Sequence, residues 1–150
     1  MTRNNPLRFA LLVAAVSLAA CGSMSPMGKE KMTQTSFGAT LSASAEVPAN
    51  SSTGGGLMTG MLNDETKVLT WRVTYSGLSG PATAGHIHGP AMAGANAGVV
   101  VPFATTASPI EGSATLTAAQ IADLRAGLWY VNLHTAANPG GEVRGQVLVK

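Results

Sequence analysis

The chain has 150 residues, of which 45% are hydrophobic, 11% charged and 5% aromatic, with 18 Gly, 8 Pro, 3 His and a single Cys. That length allows one small domain, the sparse charge excludes a coiled coil or a long amphipathic helix, and the ordered runs of Val, Leu and Ile argue against a disordered chain. One Cys excludes an internal disulfide and any multi-cysteine zinc or iron–sulfur site, and a formal charge of +2 singles out no class of partner.

Met1 to Arg8 is a short polar start carrying Arg3 and Arg8, and Phe9 to Ala20 is a nearly unbroken apolar run, too short to cross a bilayer. Charge, then apolar run, then small residues is the order of a signal peptide. The run closes as Leu18-Ala19-Ala20-Cys21, which resembles the lipobox of bacterial lipoprotein precursors, where small residues admit the peptidase and the Cys thiol takes the lipid. The competing reading is a buried Cys ending a core helix. Residues 1–20 are thus expected to be a lipoprotein signal peptide cleaved before Cys21. With Gly22 rather than Asp next to the lipidated Cys, the resemblance implies a lipid-anchored protein of the cell envelope, at the outer membrane and facing the periplasm or the cell surface. Cleavage removes Arg3 and Arg8, leaving seven basic against seven acidic residues, so no basic footprint for nucleic acid remains. Residues 21–35, which include Met24, Pro26, Gly28 and Lys29, show no periodicity and read as a flexible tether. The folded unit is expected over residues 36–150.

Within that unit the period is two. Phe37 to Val47 alternates through Ala39, Leu41, Ala43 and Ala45, and the turn-rich stretch Pro48 to Gly56 follows. Leu57 to Leu62 is a second strand, closed by Asn63-Asp64-Glu65. Lys67 to Tyr75 is the clearest, with Leu69, Trp71, Val73 and Tyr75 on one face and Thr70, Arg72 and Thr74 on the other. Further strands are predicted at Ala84 to His88, Val99 to Phe103, Gly112 to Leu116, Leu128 to Thr135 and Glu142 to Val149. The interruption is Thr117-Ala118-Ala119-Gln120, a capping box that opens a short helix near residues 117–126, with Ile121 and Leu124 as its apolar side and Gly127 to end it. The fold class is all-β: an antiparallel β-sandwich, immunoglobulin-like or superoxide-dismutase-like, of about seven or eight strands, with one short helix plugging an end. Trp71 and Trp129 lie on apolar phases and are expected in the core.

Asn138-Pro139-Gly140-Gly141 is a strong turn signal joining the last two strands. If Trp129, Val131 and Leu133 face the core with Val149, Val147 and Gly145, the register sets His134 opposite Arg144. All three histidines lie in Gly85-His86-Ile87-His88-Gly89-Pro90 and Asn132-Leu133-His134-Thr135. On a strand, His86 and His88 share one face while Ile87 points to the core. Their imidazoles can converge on one ion, copper or zinc, with His134 as a third ligand; the alternative is that they only hydrogen-bond loop carbonyls. Glu142 and Arg144 form either an exposed ion pair or, beside His134, an Arg site for a loop carboxylate or an anionic ligand. No Ser sits in a nucleophile elbow, Gly54-Gly55-Gly56 lacks the Lys and helix of a phosphate loop, and no catalytic constellation is found.

The segments Gly85-His86-Ile87-His88-Gly89-Pro90, Gly98-Val99-Val100-Val101-Pro102-Phe103, Leu128-Trp129-Tyr130-Val131-Asn132-Leu133-His134-Thr135 and Asn138-Pro139-Gly140-Gly141-Glu142-Val143-Arg144-Gly145-Gln146 resemble, in content and order, the CHRD domain, named for chordin. In chordin such domains are repeated in a secreted antagonist of bone morphogenetic proteins, whereas bacterial members look like single-domain exported proteins without an assigned reaction. The family's fingerprint residues map to His86, His88, His134, Glu142 and Arg144. The resemblance implies a non-enzymatic, lipid-anchored module that binds an envelope protein or a small ligand. Its alternative is a copper- or zinc-binding periplasmic protein. His-x-His on a β-sandwich strand is similar to the copper site of copper–zinc superoxide dismutases, and Gly-Gly-Glu-x-Arg-Gly resembles their active-site Arg segment. Three histidines are too few for that family's two-metal site and its disulfide is impossible here, which disfavours a metal-dependent redox enzyme.

Overall fold

The computed structural model describes Met1 and residues 33–150, and the expected signal peptide, Cys21 and most of the tether lie outside the described residues. Among the described residues the order is β1 (Gln34–Ser42), β2 (Gly55–Asn63), β3 (Val68–Ser76), β4 (Ala82–His88), β5 (Val99–Pro102), β6 (Ile110–Thr115), α1 (Ala118–Arg125), β7 (Trp129–Thr135) and β8 (Val143–Val149). The eight strands form one sheet in the order β5-β4-β7-β8-β1-β2-β3-β6, and every pairing is antiparallel. The sheet folds over on itself, so that Ile87, Val131 and Val147 from one half share a core with Phe37, Leu69 and Trp71 from the other. Phe103, just past β5, meets Trp71 of β3 with ring centroids 5.8 Å apart. The chain between β5 and β6 is held across the same gap by the Tyr75 hydroxyl, which donates to the Thr106 carbonyl at 2.6 Å. The expected all-β antiparallel architecture with one short helix is therefore present, built from a continuous hydrogen-bond order.

The period-two pattern holds where large apolar residues carry it. Leu69, Trp71 and Val73 are buried and Thr70, Arg72 and Thr74 exposed, and Trp129 is fully buried. It fails after Ser42, where the alternation rested on alanines. Ala43–Ala45 is a 3-10 turn, not strand, and beyond it Glu46 is buried while Val47 is only half-buried. The Ala43 carbonyl accepts from both Glu46 N–H and Asn50 N–H at 3.3 Å, closing a turn that alanine side chains have too little apolar surface to resist.

The helix ends are as the sequence predicts. The Thr117 hydroxyl accepts from Gln120 N–H at 3.2 Å and Thr117 N–H donates to the Gln120 side chain at 2.8 Å. At the other end Gly127, with φ +71°, donates to Leu124 O at 3.1 Å and Leu128 donates to Asp123 O at 3.0 Å, a Schellman closure. Leu124 is fully buried, so packing rather than length stabilises α1.

The β7–β8 hairpin keeps the expected faces but slips by two residues. Trp129 pairs with Val147, Val131 with Gly145 and Leu133 with Val143, so Arg144 stands opposite Asn132 and not His134. The connection holds two successive turns. Thr135 and Asn138 exchange backbone bonds at 3.3 and 3.2 Å, and Gly141 N–H then donates to Asn138 O at 3.1 Å. The extra turn lengthens the loop, and a slip by an even number leaves every side chain on its face.

Gly145 lies against the backbone of β1, where a Cβ would press on the carbonyl oxygen of Thr40. Gly145→Ala should lower the unfolding free energy by about 1–3 kcal/mol, read by urea denaturation; an unchanged midpoint would contradict this close approach.

Candidate functional site

On β4, β7 and β8 the face turned away from the core carries His86 and His88, then Tyr130, Asn132 and His134, then Arg144 and Gln146. Alternation alone would leave this face to solvent. Instead Tyr130, Asn132 and Arg144 are 2%, 4% and 2% exposed. The β4–β5 loop, residues 89–98, folds over the face and is tied down by side chains from beneath. Arg144 donates from Nη1 to Asn96 Oδ1 at 2.9 Å and from Nη2 to Ala95 O at 2.6 Å, while its guanidinium lies 3.4 Å over the Tyr130 ring. Tyr130 is in turn stacked on His88, with centroids 4.8 Å apart and planes 2° from parallel. Gln146 donates to Ala91 O and Gly127 O at 2.9 and 2.7 Å. Arg144 thus hydrogen-bonds loop backbone and an amide while its charge also lowers the carboxyl of Glu46 in the β1–β2 loop, and its planar fork and ring-stacking surface do what lysine could not match.

Glu142, for which an exposed pair with Arg144 is one of the two readings of the sequence, is fully buried with different partners. The last strand begins at Val143 and not, as expected, at Glu142, which sits in the bend before it among the loops at the end of the sheet. Its carboxylate accepts from the hydroxyls of Ser52 (2.6 Å), Ser79 (2.6 Å) and Thr135 (2.5 Å) and from Ser79 N–H (2.6 Å). Burial alone would raise this carboxyl, but the four donors outweigh it and hold it at about 2. Sequence reasoning missed Ser52 and Ser79, since serines in Gly-rich loops carry no period. It also missed Glu46, which is 6% exposed, and whose only signal was an isolated carboxylate in a run of small apolar residues. Burial raises the Glu46 carboxyl, against the Val47 N–H, Arg144 and Asn132, which lower it.

The structure brings His86, His88 and His134 together. One ring nitrogen from each lies within 4.8 Å of the others. His86 is edge-on to both neighbours, with centroids 5.3 Å from His88 and 5.0 Å from His134. His88 Nδ1 lies 3.0 Å from Ala97 O and His134 Nδ1 lies 2.9 Å from Pro139 O. A carbonyl can only accept, so each Nδ1 carries the ring hydrogen and each Nε2 presents a lone pair. His88 Nε2 is buried with no hydrogen-bond partner. The His86 ring is pushed down by burial and then by the His134 and His88 charges, and His88 by burial first, with His134 and Arg144 adding to it against Ala97 and Asn132. Both shifts favour the neutral ring, the state in which imidazole binds a metal.

An eight-stranded all-β domain that buries one of its polar faces under an Arg-anchored loop and gathers three histidines beside it defines a small binding-type scaffold. Residues 37–147 match the CHRD domain family, and the chain belongs to that family, as its histidine and Pro-Gly-Gly-Glu-x-Arg-Gly segments led one to expect. The CHRD domain is not a known enzyme family. Neither a curated protein nor a solved structure matches the chain.

Because Glu142 is held below the ordinary carboxylate range, its stabilising effect is complete above about pH 5 and is lost as the pH falls toward 2. Glu142→Gln should cost about 1–3 kcal/mol at pH 7 by leaving hydroxyls poorly matched and should flatten the acid-side decline. Denaturation curves at pH 7, 5 and 3 measure both; a variant that keeps the wild-type pH slope would exclude Glu142 as its source.

Proposed function

We propose that this protein is a lipid-anchored, non-enzymatic binding module of the cell envelope whose ligand is a copper or zinc ion held by His86, His88 and His134. The observation that carries the reading is the convergence of three ring nitrogens within 4.8 Å, two of them aimed by backbone carbonyls on the opposite side of the ring. Outer contacts of that kind fix the tautomer and orientation of metal-binding histidines. Imidazole donors suit copper and zinc over hard cations such as magnesium or calcium, which take oxygen ligands. The lipid anchor is supported by the order Arg3, Arg8, apolar run, Leu18-Ala19-Ala20-Cys21.

The test is calorimetric titration of the full chain, purified in detergent and stripped with a chelator, with Zn(II) and Cu(II). One equivalent should bind, and a His86→Ala, His88→Ala double variant should lose it while keeping the wild-type β-sheet circular dichroism. No binding by the wild-type chain would refute the metal reading. For the anchor, Cys21→Ser should move the chain from the detergent phase to the aqueous phase in a phase-partition assay, and a variant that still enters detergent would refute lipidation at that thiol.

A further inference from the structure

Asn132 occupies the middle of the covered face, directly opposite His86 of β4 on one side and Arg144 of β8 on the other, and is 4% exposed. Its Oδ1 lies 3.1 Å from His134 Nε2, and His86 Nδ1 lies at the same 3.1 Å from that nitrogen. We infer that Asn132 is the fourth ligand of the centre proposed above, its amide oxygen completing a tetrahedral set of three nitrogens and one oxygen that suits Zn(II). This rests on the metal reading and goes beyond it.

Hydrogen counting comes first. His134 has its ring hydrogen on Nδ1, facing Pro139 O at 2.9 Å. Its Nε2 therefore turns a lone pair toward the Asn132 oxygen, which also carries only lone pairs. The amide is oriented with Oδ1 toward His134, which leaves its NH2 as the donor through which Asn132 lowers the Glu46 carboxyl. His88 Nε2 adds a further buried lone pair without a hydrogen. The hydrogen that His134 Nε2 can accept is that of His86 Nδ1, 3.1 Å away, so the pair left without a hydrogen between them is His134 Nε2 and Asn132 Oδ1; a cation taken up there, with His86 carrying its ring hydrogen on Nε2 instead, would satisfy both.

Distance points the same way. Around a tetrahedral ion with bonds of about 2.0–2.1 Å, neighbouring ligand atoms stand about 1.6 bond lengths apart, roughly 3.3 Å. Two edges of such a figure are already close to length, from His134 Nε2 to His86 Nδ1 and to Asn132 Oδ1, both 3.1 Å. The widest separation among the histidine nitrogens, 4.8 Å, must close on binding.

The experiment titrates Zn(II) against a chromophoric competitor, and separately adds Co(II) as a visible probe, using the full chain in detergent and its Asn132→Asp and Asn132→Leu variants. Asn132→Asp, which keeps the shape and adds charge, should bind Zn(II) more tightly. Asn132→Leu should bind at least about tenfold more weakly and should change the intense visible bands expected of four-coordinate Co(II). Unchanged affinity and an unchanged Co(II) spectrum in the Asp variant, whose fold is the less perturbed, would overturn Asn132 as a ligand while leaving the three histidines as the site. If the wild-type chain takes up no Zn(II), both readings fall.

Discussion

The stack of Arg144 on Tyr130 on His88 is the interaction on which the rest of this molecule depends. A sheet strand ordinarily offers one face to the core and one to water. Here the guanidinium lies 3.4 Å over the Tyr130 ring and reaches past it to Ala95 and Asn96, so a loop is drawn across the second face and β7 is covered on both sides. A buried cation without partners would be costly; this one has an aromatic face beneath it and two acceptors ahead. The cover is what shields His88 and Asn132 from water, and burial is the first cause that lowers the proton affinity of His86 and His88.

Glu142 performs the matching task at the end of the sheet. By accepting from Ser52, Ser79 and Thr135 it joins the β1–β2 loop, the β3–β4 loop and the end of β7 at one carboxylate. Two residues separated only by Val143 thus fasten different loops. That explains why an Arg and a Glu so near in sequence do not pair with one another: each has a set of partners that an exposed ion pair, weakened by solvent, could not equal.

Much of this was legible from the residues. Large side chains such as Leu69, Trp71 and Val73 announce a strand because burying them outweighs local turn preference, and Thr117 with Gln120 announces a helix start because the bonds involved are local. The meeting of His86, His88 and His134 was foreseeable in outline, since a period of two puts the first pair on one face. What escaped was long-range. No pattern within residues 89–98 says that a loop will lie over Arg144, and none within the Ala-rich run to Val47 says that Glu46 will be buried. The register of the last hairpin escaped because a second turn, at Thr135 to Asn138, carries no Gly or Pro to mark it.

The place of β1 in the sheet has a mechanical meaning. It is the first described strand, yet it lies inside the sheet, paired with β2 along all nine of its residues and with β8 on its other side. Hydrogen bonds in an antiparallel ladder run across the strands, so a pull on the chain ahead of Gln34, directed along β1, loads both ladders in shear instead of opening them one bond at a time. A pull from the N-terminal side would therefore reach the core through a strand bonded on both edges, at the end of β1 away from the β7–β8 turn.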